Sequence, residues 1–110
     1  MNEYKIKQSS LYKKLYKRIK NDDKKVNAVE KVIDMLEKGR PLPIELYDHN
    51  LKFDMKGYKD CHPLGKEKDF VLIYKKDDKN KVIILYKVGN HSVTGIKETA
   101  DYVFEYYFKD

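Results

Sequence analysis

"FVLIYKKDDKNKVIILYKVGN" occupies residues 70–90. Phe70-Val-Leu-Ile-Tyr74 is apolar at every position, which predicts a central strand buried on both faces. Asp77-Asp78-Lys79-Asn80 has turn chemistry. Val82-Ile-Ile-Leu-Tyr-Lys-Val88 then returns as the partner strand, and Gly89-Asn90 ends it. A hairpin this apolar must be covered by other parts of the chain.

The cover lies upstream. Residues 2–7 alternate and predict a short strand. Ser9 or Ser10 offers a helix N-cap, and Leu11, Leu15 and Ile19 repeat at helical spacing through Lys20, with Tyr12 and Tyr16 beside them. Asn21-Asp22-Asp23 breaks this helix and caps the next. There Val26, Val29, Val32, Ile33 and Leu36 form an apolar stripe, until Gly39, Pro41 and Pro43 stop it. Residues 44–54 read as loop or irregular extended chain, and 55–62 as a strand with Tyr58, Asp60 and His62 on one face. In the tail, Ala100, Val103, Phe104 and Tyr107 predict a helix within 97–110. The expected architecture is one α+β domain over 1–110, ordered β-α-α-β-β-β. A helical hairpin packs on one face of a small, mostly antiparallel sheet, and a short C-terminal helix follows.

Composition narrows the class. The 110 residues, 41% of them hydrophobic, suit a single small core. No apolar run is long enough to span a membrane, and MNEYKIKQSS lacks the apolar stretch of a signal peptide. The lone Cys61 excludes an internal disulfide framework and fits a reducing compartment, so a cytoplasmic protein is expected. Against 18 acidic residues stand 24 Lys and Arg, a net charge of +6, which suits a polyanion or an acidic protein partner.

With core and caps set aside, His49, His62, Asp69, Lys87 and His91 remain, clustered around strand ends. Antiparallel pairing brings the end of one strand beside the start of the next, so His62 should meet Asp69. The following hairpin arm returns Lys87 and His91 to the same edge, and a loop must deliver His49. Three readings compete. The histidines are solvated loop residues; or they bind a metal, although no HxH or CxxC pair occurs; or they perform acid–base chemistry on RNA. In the last, histidines exchange protons with the 2′-OH and the 5′-oxygen, and lysine neutralises the phosphorane, with no metal or other cofactor. Phe70 would stack a splayed base, and the basic surface would hold the backbone.

The blocks "LPIELYDHNLKFDMKGYKDCH", "DFVLIYK" and "KVGNH" stand in the order of a known pattern: LP, then Y and DH-x-L, W-K-G-Y-R-[DE]-x-H, an acid before LIY, and R-x-G-[ST]-H. By these blocks the chain resembles the YafQ branch of the RelE-like type II toxins, ribosome-dependent mRNA endonucleases, from the first strand to Gly95. The resemblance implies that His49, His62, Asp69 and His91 match the family's catalytic polar residues, with His91 the general acid. His62, Asp69 or His49 would orient or deprotonate the 2′-OH. Lys87 takes the place of a phosphate-stabilising arginine, and Phe70 that of an aromatic near the base. The products implied are a 2′,3′-cyclic phosphate or 3′-phosphate end and a 5′-hydroxyl end. The partners implied are a cognate antitoxin, the ribosome and mRNA, with the free toxin a monomer.

The chain also departs from the pattern. Lys87 is a point charge without a planar fork. Phe53 stands where the family often has Gly, Met55 where it often has Trp, and Gly95 where it often has an aromatic. The loop "HPLGKEKD" is longer and adds Lys66 and Lys68, which either reach RNA or are solvated. These departures motivate the alternative of a catalytically weak or inactive protein on the same fold that binds RNA or a protein partner.

Overall fold

The apolar hairpin is the middle of a five-stranded sheet of order β1-β5-β4-β3-β2. In this computed structural model, which describes residues 3–94, the strands are β1 (Lys5–Gln8), β2 (His49–Asn50), β3 (Lys59–Cys61), β4 (Val71–Asp77) and β5 (Val82–Gly89). The helices are α1 (Ser10–Tyr16), α2 (Asp23–Glu37) and a single turn, α3 (His91–Thr94). Strand β1 pairs parallel with β5, and the other pairs are antiparallel. The helix expected within 97–110 lies outside the described residues. Among the described residues no helix is long and apolar enough to cross a membrane.

Both helices begin where the capping chemistry directs. Ser9 Oγ accepts from the Tyr12 N–H at 2.9 Å, and the Asp22 carboxylate accepts from the Lys25 N–H at 3.2 Å. Helix α1 ends at Tyr16, short of the expected Lys20, because i→i−3 bonds such as Ile19 N–H to Tyr16 O (3.0 Å) tighten the chain beyond it. Ile19 still reaches the core. Tyr12, Leu15, Val29, Val32 and Leu36 pack on the sheet face made by Cys61, Phe70, Leu72, Tyr74, Ile83, Leu85 and Val88. Burying this face removes several large apolar side chains from water, each worth about 1.5–3 kcal/mol.

Three local differences from the sequence reading matter for the site. The strand expected over 55–62 is confined to Lys59–Cys61, because Phe53–Met55 forms a 3₁₀ turn and Gly57 has φ 97°. A two-residue strand, β2, appears in the stretch read as loop; it pairs His49 with Asp60 and Asn50 with Lys59. Between Ile73 and Tyr74 the β4–β5 register shifts: Tyr74 faces Leu85, but Ile73 faces Lys87. Tyr86 is therefore the extra residue of a β-bulge. Regular alternation would set Lys87 on the helix side with Ile83 and Leu85. The bulge sends it to the opposite face, and Val88 takes the core position instead.

Candidate active site

The register lays out the site. His49, Asp60, Ile73 and Lys87 are successive partners and form one row across the face turned away from the helices. His62 follows Asp60 by two residues on that face, and Asp69 and His91 lie just beyond the paired ends Val71 and Gly89. Two loops close the arrangement: the His62 N–H donates to Leu46 O at 2.7 Å and the Lys66 N–H to Glu45 O at 3.2 Å. This clasp delivers His49 to the sheet.

The three imidazoles form a chain, with ring centroids 6.5 Å apart for His49–His62 and 5.5 Å for His62–His91. His62 is fully buried, with Nε2 3.4 Å from Asp60 Oδ1, whose residue is 1% exposed. Asp69 Oδ1 accepts from the backbone N–H of His91 at 2.7 Å and contacts that residue's Nδ1. The expected meeting of His62 with Asp69 is thus made through His91, which touches both. The backbone N–H of His91, then its side chain, holds the Asp69 carboxyl below the usual carboxylate range. Beside this carboxylate Nδ1 carries a proton, and the other ring nitrogen, Nε2, is buried. His49 Nδ1 lies 2.7 Å from the Tyr47 carbonyl oxygen. A carbonyl only accepts, so that nitrogen is the donor and the lone pair sits on Nε2.

The depressed Asp69 value has a consequence for stability. It stabilises the fold at pH above the ordinary aspartate value of about 3.9, and this contribution is lost as pH falls through the folded value. Asp69→Asn is therefore expected to melt below the parent at pH 6, and the gap between the two should shrink below about pH 4. A gap independent of pH in thermal melts would contradict it.

Tyr47 is the Y of the motif, to which the sequence reading assigns no role. Its φ is 49°, left-handed for a bulky residue, a strain found where function or packing demands it. Its ring centroid lies 4.4 Å from His49 and 5.6 Å from His62, and Lys66 Nζ stands 4.8 Å from it. Lys66 thereby joins the cluster, whereas Lys68 stays on the exposed loop. Phe70 corrects the expectation of a base-stacking residue. It shares the face of Leu72 and Tyr74, is 1% exposed, and lies in the helix-side core. Asp48 is structural: it accepts from the Tyr74 hydroxyl at 2.6 Å and pairs with Lys59 at 3.3 Å. Burial raises the Cys61 thiol, which removes it as a nucleophile. Among the described residues no group of three His, Cys, Asp or Glu is placed to hold a metal ion.

Two helices on a mixed five-stranded sheet, with a polar cluster on the uncovered face, define a RelE-like α+β protein. The fold matches YafQ from E. coli with a TM-score of 0.72 at 29% identity, covering 84% of this chain and 98% of that one. It also matches the E. coli DinJ-YafQ toxin-antitoxin complex with a TM-score of 0.69 at 32% identity, covering 82% and 94%. In sequence it is 33% identical over 88 residues to the mRNA interferase toxin YafQ of E. coli K12, spanning 79% of this chain and 90% of the relative. Residues 4–94 match the family described as the bacterial toxin of type II toxin-antitoxin system, YafQ. The chain belongs to that family.

Proposed function

We propose that the chain is an mRNA interferase that cuts mRNA on the ribosome by acid–base catalysis and is held in check by a cognate antitoxin. The observation that carries this reading is the file of three imidazoles, ending in the His91–Asp69 pair, on the face that also presents Lys87. His49 Nε2 takes the proton of the 2′-OH. The 2′-oxygen then bonds to the adjacent phosphorus, and the bond from phosphorus to the 5′-oxygen breaks. His91 Nε2 gives a proton to that leaving oxygen. Lys87 neutralises the charge on the phosphorane, and His62, packed between the other two rings, keeps them in file. The products are a 2′,3′-cyclic phosphate and a 5′-hydroxyl.

End-group analysis of mRNA cut on programmed ribosomes by the purified protein tests the chemistry. A 5′-phosphate product would overturn it, and intact mRNA would favour the binding-only alternative. The antitoxin inference is supported by the E. coli DinJ-YafQ toxin-antitoxin complex, in which a family member is bound to its antitoxin. Tyr47→Asn tests the support given to His49. Asn tolerates the left-handed backbone but removes the ring against both histidines. The melting temperature should stay within a few degrees while kcat falls roughly ten-fold or more, since small misplacements of catalytic groups are costly. An unchanged kcat would show that the Tyr47 ring is mere packing.

A further inference from the structure

The sheet face that carries the site is not covered by the helices; next to the catalytic row it is covered by tyrosines. Leu51, Val71 and Ile73 form a small second core there, with Met55, Tyr58 and Tyr86 packed on it. The rings of Tyr58 and Tyr86 lie 4.9 Å apart at an interplanar angle of 35°, and both residues are half-buried. Lys75 Nζ stands 5.7 Å from the Tyr58 centroid and Lys87 Nζ 5.2 Å from that of Tyr86. Because Lys59 pairs with Tyr74, the register places Tyr58 beside Lys75, one row along from His49, Asp60, Ile73 and Lys87. The bulge completes the group by turning Lys87 to this side beside Tyr86, which alternation already places there.

We propose that Tyr58 and Tyr86 are a stacking platform for a base of the RNA strand next to the scissile phosphate, with Lys75 and Lys87 on the adjoining phosphates. The proposal rests on the reading of the chain as an RNA-cutting enzyme. Paired aromatic rings flanked by ammonium groups are what sequence-tolerant single-strand binding needs: a π-face for any base and charge for the backbone. Lys87 belongs to both the platform and the catalytic row, so a base held here fixes the position of the phosphate beside it. The buried Phe70 ring leaves this task to other aromatics.

The test uses the full chain, programmed ribosomes and a short single-stranded RNA carrying a 2′-deoxy nucleotide at the cut position as a non-cleavable probe. Tyr58→Leu and Tyr86→Leu keep apolar cover over Val71 and Ile73 but lose the stack. Each should weaken probe binding and raise KM about ten-fold, with a smaller change in kcat. Tyr58→Phe and Tyr86→Phe should restore binding, and Lys75→Ala should lower the salt dependence of log K by about 0.7. Leucine variants that melt like the parent and bind the probe as well would overturn the platform, giving this face to a protein occupant. So would phenylalanine variants that bind as poorly as leucine ones. A parent that binds RNA through these tyrosines but does not cut would sink the enzymatic reading and leave the platform standing.

Discussion

His91→Ala is expected to slow mRNA cleavage by roughly 10²–10⁴-fold, the range lost with a general acid. The design of the site makes this substitution informative. Asp69 is held by the backbone N–H of residue 91 at 2.7 Å as well as by the ring. The alanine variant keeps the first bond, so the acid stays in place and the loss reports the imidazole itself. RNA binding should change little. An RNA with sulfur in place of the 5′-bridging oxygen sharpens the assignment, because a thiolate departs without needing a proton. On that substrate the His91→Ala defect should largely disappear, while a His49→Ala defect persists. Suppression of both defects, or of neither, would defeat the division of labour between the two histidines.

How far the sequence predicts this site depends on which interactions place each residue. The central hairpin is legible because Phe70–Tyr74 is apolar and buried on both faces and Val82–Val88 is a second apolar run beyond a turn, and the helices because Ser9 and Asp22 cap them. The gathering of His62, Asp69 and His91 follows from antiparallel topology alone. What escapes is decided by tertiary pairing. Strand β2 is two residues long, too short for any periodicity, and exists because His49 and Asn50 find Asp60 and Lys59. The bulge at Tyr86 is invisible in a run whose residues are apolar on both sides, yet it sets the face of Lys87. Phe70 misleads for the opposite reason. It adjoins Asp69 in sequence, but just before β4 the two diverge: the acid bonds His91 in the site and the ring packs in the helix-side core. Asp60 carried a signal that pointed the right way: its two-residue spacing from His62 put both on one face.

That pair gives the largest effect on stability. Asp60→Ala is expected to destabilise the fold by about 3–5 kcal/mol if His62 is charged, because an uncompensated charge is left buried. The cost is about 1–3 kcal/mol if His62 is neutral and only a polar partner is lost. Neither residue can recruit bulk water in place, since they are 1% and 0% exposed. Total stabilities of about 5–15 kcal/mol make either loss easy to measure by urea unfolding. Asp60→Asn keeps the shape and the acceptor oxygen but not the charge. It should therefore match Asp60→Ala if charge compensation dominates, and match the parent if a hydrogen bond is all that is needed. Either way His62, ringed by Tyr47, His49 and His91, cannot move without moving the groups that exchange protons. Cleavage should fall with stability in Asp60→Ala, and a variant that unfolds more easily yet cuts at the parental rate would show that the buried acid serves the fold alone.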